Sequence, residues 1–358
     1  WITLFSVEAR TKMSIPVDKK TSELDSGARL PRMGEINPLI APYQKADNRR
    51  ALWELANTLI PYAALWVVMV WSLKISYALT LLLAALAAGF LVRVFIFFHD
   101  CGHNSFFSST TWNKRVGFWL GLLVFTPSEH WWHEHAVHHA TSSNLDKRGR
   151  GDVTTLTVEE YQKMGRMGRL GYRLFRNPLV MFGLGPIYMF VISHRFWRPG
   201  SGSKERNNVI LANLVLAALI AGMSWWIGWK AFVMIQLPVL WLGGMVGIWM
   251  FYVQHQYEDM YWARSGRWDY VASALAGASF YDLPKVLRWF TGNIGYHHIH
   301  HLSPRIPEYQ LAACYENVAL MQKFAKRLDI RASLRTVKLA LWDEARGRMV
   351  GFSEAAKS

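Results

Sequence analysis

Eight histidines of this 358-residue chain fall at spacings that suit metal ligation. His99 and His103 stand four apart. His135, His138 and His139 form an H-x-x-H-H cluster, and so do His297, His300 and His301. On a helix, each set gathers its imidazoles on one face. Random placement of 13 histidines would give about 0.02 such triplets, so two are a signal. Neutral imidazole is a good ligand for iron, copper, zinc and nickel. With His255 the set numbers nine, too many for one tetrahedral zinc. Two metal ions with four or five ligands each fit the count. His130, His133, His194 and His298 fall outside this set and read as supporting or structural residues. Asp100 and Glu134, inside the clusters, are placed to orient imidazoles through the second ring N–H.

Four apolar stretches must position these clusters. Leu55–Leu73 and Ile75–Phe98 are each about as long as a bilayer crossing requires, and so are Val209–Trp229 and Ala231–Val253. Only Lys74 separates the first pair and only Lys230 the second, so each pair is expected to be a tight hairpin of spans. His99 follows the first hairpin as His255 follows the second. Arg93 lies inside the second span, roughly 9 Å along a helix from His99. It reads as snorkelling to the interface, with anchoring of a lipid head group as the sharper alternative. Val116–Pro127 is too short to span and is expected at the interface. Residues 141–176 read as a polar loop. Leu179–Ser193 is apolar but interrupted by Pro186 and two glycines. Helices are expected around 308–328 and 331–345. No short-period repeat is present.

Composition and charge agree with a membrane protein. Apolar residues make up 52% of the chain and charged ones only 18%, against about 25% in ordinary soluble domains. The 18 Trp and 14 Tyr suit aromatic belts. The formal charge is +15, but no nucleic-acid-binding signature accompanies it, so basic loops beside anionic lipid are the better reading. Residues 1–53 carry 9 Lys and Arg, 99–207 carry 14 and 254–358 carry 14, against single lysines at the hairpin tips. The positive-inside rule then places the termini and all histidine clusters in the cytoplasm. If Leu179–Ser193 spanned, His255 and the 297–301 cluster would face the side opposite His99, so that segment is expected to be interfacial. Two cysteines, Cys101 and Cys314, provide no disulfide framework and suggest a reducing compartment. No signal peptide is recognised. The chain begins at Trp1, and Met13 reads as the natural start after an upstream extension.

These features give an all-α integral membrane protein: four transmembrane helices in two hairpins, with a cytoplasmic helical cap carrying a histidine-rich dimetal site. Residues 1–50 read as a cytoplasmic arm lying on the surface, 51–345 as the membrane domain and 346–358 as a tail.

The arrangement resembles the integral-membrane fatty acid desaturases, whose three histidine boxes recur at comparable separations around two pairs of spans. The resemblance covers roughly residues 50–345. His99-Asp100-Cys101-Gly102-His103-Asn104-Ser105-Phe106-Phe107 is close to the first box of the delta-12 (omega-6) branch. Asn293 to Pro307, with His297-His298-Ile299-His300-His301 at its centre, resembles that branch's third box. The stretches 151–161 and 251–256 are similar to bacterial members. The middle box is less clean, since His130 and His133 offer alternative pairings.

The resemblance implies a ligand set of His99, His103, His135, His138, His139, His255, His297, His300 and His301. It implies two non-haem iron ions, O2 as co-substrate, and insertion of a cis double bond into an acyl chain, with a delta-12/omega-6 position on a monounsaturated acyl lipid. A plain hydrocarbon offers no assistance, so the metal must carry the chemistry. The sequence has no G-x-G-x-x-G unit and no fused haem motif, so a separate electron donor, a ferredoxin or b-type cytochrome, is implied. The expected location is a bacterial inner membrane. A related di-iron acyl hydroxylase, acetylenase or carotenoid oxygenase is the nearest rival. A metal transporter would hold its ligands near mid-membrane, whereas these lie beyond the span ends.

Overall fold

The computed structural model describes residues 29–324 and 326–355. The expectation for the chain start, residues 1–28 of the N-terminal arm and the last three residues lie outside the described residues. The chain begins with helix α1 (Met33–Ile40), then the long helices α2 (Asn48–Ser72) and α3 (Tyr77–Gly102). Next come α4 (Thr110–Leu123), α5 (Ser128–Thr141), strand β1 (Leu156–Thr157), α6 (Val158–Lys163) and α7 (Arg166–Phe175). Two π-type segments, Leu179–Leu184 and Ile187–Ile192, lead to the long helices α8 (Ser203–Ile227) and α9 (Trp229–His255). The remainder is short: α10 (Tyr270–Ala276), β2 (Phe280–Tyr281), α11 (Lys285–Phe290), α12 (His297–Leu302), α13 (Glu308–Asn317) and α14 (Ala319–Phe324). It ends with β3 (Arg327–Leu328), α15 (Ile330–Thr336), β4 (Leu341–Asp343), β5 (Arg348–Val350) and α16 (Phe352–Ala355).

Four helices, α2, α3, α8 and α9, are long and apolar enough to cross a membrane. Each extends past its apolar run where polar residues favour the helix. Asp47 caps α2, its carboxylate accepting from the Arg49 and Arg50 N–H groups at 2.8 and 3.2 Å. That start draws Arg50 and Glu54 into the first two turns. At the other end of the pair, α3 runs through His99 to Gly102. It stops where Asn104 takes a left-handed conformation (φ 56°), and the Ser105 N–H returns to the Asp100 carbonyl at 3.1 Å. The most apolar window of α3 is 61% buried, against 11% for that of α8. So α3 is the inner helix, and α8 presents its apolar surface outward, ending in the exposed Trp225 and Trp226.

Several expectations are corrected. The chain is mostly helical rather than all-α: β1, β4 and β5 form one small sheet and β2 pairs with β3. Strands of two or three residues are too short to show a period-2 pattern. The segment 331–345 is a short helix followed by a strand, and 308–328 is two helices and a strand. The region 141–176 contains α6 and the amphipathic α7. The 116–127 segment begins its helix earlier, at Thr110, where Ser109 caps it. The described part of the N-terminal arm is not merely superficial, since Ile36 and Ile40 are fully buried in the core.

Arg93 does not snorkel. It is 2% exposed and ion-pairs with the equally buried Glu54 of α2. Its Nε donates to Thr58 Oγ1 at 3.1 Å, another N–H donates to the Trp289 carbonyl, and the Trp289 ring faces the guanidinium at 4.2 Å. A guanidinium this deep is tolerable because every side of it is paired. The segment 179–195 meets α7 at a 59° bend, with Pro186 between its two π-type stretches.

Candidate metal centre

The end of α3 supplies His99 and, just beyond it, His103. Helix α5 supplies His135, His138 and His139, the end of α9 supplies His255, and α12 supplies His297, His300 and His301. These nine fold into two groups. His99, His103, His135, His139 and His300 form one, and His138, His255, His297 and His301 the other. Within each group the ligand atoms lie within 4.8 Å of one another. The i, i+4 pair of each H-x-x-H-H cluster stays together, and the third histidine crosses to the other group. His138 leaves α5's pair to reach His255, Nε2 to Nε2, at 3.2 Å. His300 leaves α12's pair to reach His139 at 2.9 Å. The groups abut, with the His139 and His301 rings stacked 4.2 Å apart.

Burial and crowding set the protonation state. Outside the spans, His103, His135, His138, His139, His297, His300 and His301 are all held well below the ordinary imidazole value of 6.5. Desolvation is the main cause and repulsion from neighbouring imidazoles adds to it. Neutral rings with lone pairs aimed at each other are a poor arrangement by themselves. His297 Nε2 meets His255 Nε2 at 2.9 Å and His301 Nε2 at 3.1 Å, and one proton cannot satisfy all three. His103 Nε2 is buried with no hydrogen-bond partner among the described residues. A cation within each group would satisfy these nitrogens together, so the donor set fits nitrogen-bound metal.

The surroundings fix the rings. Asp100 Oδ1 accepts from His99 Nδ1 at 2.9 Å. Its other oxygen accepts from the Glu308 backbone N–H at 2.6 Å, at the start of α13. The Gly277 carbonyl accepts from His255 Nδ1 at 3.2 Å. Tyr270 donates to the His301 carbonyl at 2.8 Å, pinning α12. Trp131 stacks on His135 at 4.6 Å. Glu134, expected to orient an imidazole, instead pairs with Arg198.

The four remaining histidines point elsewhere. His298 is buried but meets the Met321 carbonyl at 3.0 Å. His130 meets Glu205 at 3.1 Å and His194 meets Thr126 at 3.2 Å, while His133 is exposed. Burial alone therefore does not separate the sets, but direction does. Sequence reasoning missed Glu308, which is fully buried and whose carboxyl is raised to about 8, chiefly by burial. An acid after Pro307 reads as an ordinary first-turn residue, so no signal singled it out.

Comparison with known proteins gives a consistent picture. Residues 75–329 match the family model described as fatty acid desaturase. A fatty acid desaturase of Bacillus subtilis (strain 168) is 46% identical over 89% of this chain and 90% of its own length. An sn-1 oleoyl-lipid 12-desaturase of Anabaena variabilis is 27% identical over 76% of this chain and 77% of its own. A ferredoxin-linked sn-1 acyl-lipid omega-3 desaturase of Synechocystis is 28% identical over 63% of each.

Proposed function

The chain belongs to the fatty acid desaturase family and is an oxidoreductase, and on that premise we propose that it inserts a cis double bond into the acyl chain of a membrane lipid. The balance is CH2–CH2 plus O2, two electrons and two protons, giving CH=CH and two waters. The observation that carries the reading is the pair of adjacent nitrogen groups, five histidines and four, gathered by the short helices α5 and α12 at the ends of α3 and α9, two helices long and apolar enough to span a membrane.

The nine histidines are proposed to hold two non-haem irons, five ligands at one and four at the other. Bound there, the iron pair would supply O2 activation and removal of hydrogen from unactivated carbon. The protein's own residues do the rest. Asp100 keeps the His99 Nδ1 protonated and its Nε2 free for metal. The Gly277 carbonyl does the same for His255. Trp131 and Phe251 pack against the groups, with Phe98 behind Trp131, and would keep water out.

The delta-12/omega-6 position draws on the likeness to oleoyl-lipid 12-desaturases, and a ferredoxin or b-type cytochrome is the proposed electron source. The sidedness follows from charge: the two hairpins, the cap and both termini are proposed to place the histidines in the cytoplasm of a bacterial inner-membrane protein. Residues 51–345 would be the membrane domain between the arm and the tail.

Expression in a host making only monounsaturated lipid, with double-bond mapping of every acyl chain, tests this. A diene with its new bond at carbon 12 is expected. A new bond confined to saturated chains would overturn the position and keep the desaturase reading. A hydroxylated chain in place of an alkene would overturn the reaction.

A further inference from the structure

One cavity opens beside the histidine groups without belonging to either. It measures about 260 Å³ and is lined by Gly102 and Asn104 at the end of α3, Lys114 on α4, Trp132 and His133 on α5, and Lys204 at the start of α8. Lys114, His133 and Lys204 are exposed, as is Arg115 next to Lys114. Glu129, the one acid in the wall, is paired with Lys204 at 2.7 Å. With Lys204 offset by Glu129, the positive excess around the opening comes from Lys114 and Arg115.

Trp132 forms the inner wall. Gly102 and Gly117 let it lie flush, since a Cβ at either would come within 2.3 and 2.5 Å of the indole. The indole N–H donates to the Phe98 carbonyl at 3.1 Å. That carbonyl belongs to the peptide bond joining Phe98 to His99. The Trp132 ring also stacks on Phe98 at 5.6 Å, Phe98 meets Trp131 at 5.2 Å, and Trp131 stacks on His135 at 4.6 Å. One hydrogen bond and one peptide link thus lead from the cavity to His99, and an unbroken run of rings leads to His135. Both routes end on the five-histidine group.

We propose that this cavity is the docking point of a small acidic one-electron carrier protein and that Trp132 is where electrons enter the five-histidine group. The proposal rests on the desaturase reading, which needs two electrons that the chain has no flavin or nicotinamide motif to supply. Each encounter oxidises the carrier by one electron, and two encounters supply the pair that leaves with O2 as water. The basic rim steers the acidic carrier and sets the encounter rate. Trp132, half-buried and stacked on Phe98, shortens the path from the carrier to the histidines.

The test uses the full chain in nanodiscs and an acidic [2Fe–2S] ferredoxin as probe. Binding of the oxidised ferredoxin is read on the metal-free protein, and anaerobic oxidation of the reduced ferredoxin on the iron-loaded protein. Lys114→Glu/Lys204→Glu is expected to weaken binding and slow the second-order oxidation by about tenfold at low salt. It should also flatten the fall in rate with salt seen in the unaltered protein. Arg331→Glu, an exposed change on a different element, is expected to do neither. Trp132→Phe should leave ferredoxin binding intact and slow electron transfer at saturating ferredoxin. With dithionite as reductant, the lysine variant should desaturate as the unaltered protein does. Unchanged ferredoxin binding and oxidation in the lysine variant would overturn the proposal. So would loss of its dithionite-driven turnover with iron retained, which would assign the cavity to a lipid phosphate. Absence of product from the unaltered protein with dithionite counts against the desaturase reading alone, because the binding and oxidation arms still decide the docking.

Discussion

His138 and His139 are neighbours in the chain, yet they serve different nitrogen groups. His138 reaches His255 at 3.2 Å and His139 reaches His300 at 2.9 Å. The same division recurs on α12, where His300 parts from His297 and His301. Each H-x-x-H-H cluster therefore ties the two groups together, and the loss of one ring should be felt unevenly.

Iron content should report that division. The unaltered protein is expected to carry about two irons per chain, without haem. His138→Ala or His255→Ala, each removing one of four nitrogens, should lower this towards one, measured by elemental analysis of protein of normal expression. His135→Ala leaves four nitrogens in its group and should weaken iron binding less. Full iron and full activity in His255→Ala would remove it from the ligand set.

His298→Ala should keep its iron. Its ring hydrogen-bonds the Met321 carbonyl and packs beside Phe280 and Tyr315, so the expected effect is about 1–3 kcal/mol of stability from an unsatisfied buried acceptor. His194→Ala, whose ring meets Thr126, should likewise keep iron and most activity. Loss of iron in either would show that the division by ring direction is wrong.

Asp100→Asn changes one oxygen into a donor. Two N–H groups, from His99 and Glu308, converge on the carboxylate, and an amide has one acceptor oxygen for them. The expected loss in iron affinity or activity is 10- to 100-fold, as is typical of partners behind a metal-bound histidine. Equilibrium dialysis of iron against the unaltered protein measures it.

Arg93→Met removes the buried partner of Glu54 and leaves it only the half-exposed Arg50 at 2.6 Å, which should cost about 1–3 kcal/mol. Glu54→Gln/Arg93→Met should recover much of that loss. Thermal unfolding in detergent across the double-mutant cycle checks the pair. A loss in the double variant equal to the sum of the two single losses would show that Arg93 has no energetic link to Glu54.

Topology can be read with single cysteines in a chain lacking Cys101 and Cys314. Cysteines placed near 150 and near 200 should label from the same side as one at the exposed Ala345, and one at 230 from the opposite side. The basis is the abundance of Lys and Arg in those segments against single lysines at the tips. Opposite labelling of 150 and 200 would make the bent 166–195 segment a fifth span.

Much of this protein was legible in its sequence because the signals are local. Apolar runs of bilayer length marked α2, α3, α8 and α9. Histidine spacings marked eight members of the two groups, and His255 was singled out by its place after the second pair of spans and by family resemblance. Tertiary structure alone decided how those nine divide. Helical spacing shows that His135, His138 and His139 share a face, but partners on other helices set where each ring ends. Arg93 was misread for a related reason: its partner Glu54 lies 39 residues away, and only the packing of α2 on α3 brings them together. Glu308 gave no sequence signal because its backbone N–H, common to nearly every residue type, meets Asp100 across 208 residues. The short strands went unseen because their pairing, such as Leu156 with Leu341, depends on long-range contact and not on any repeat within the strand.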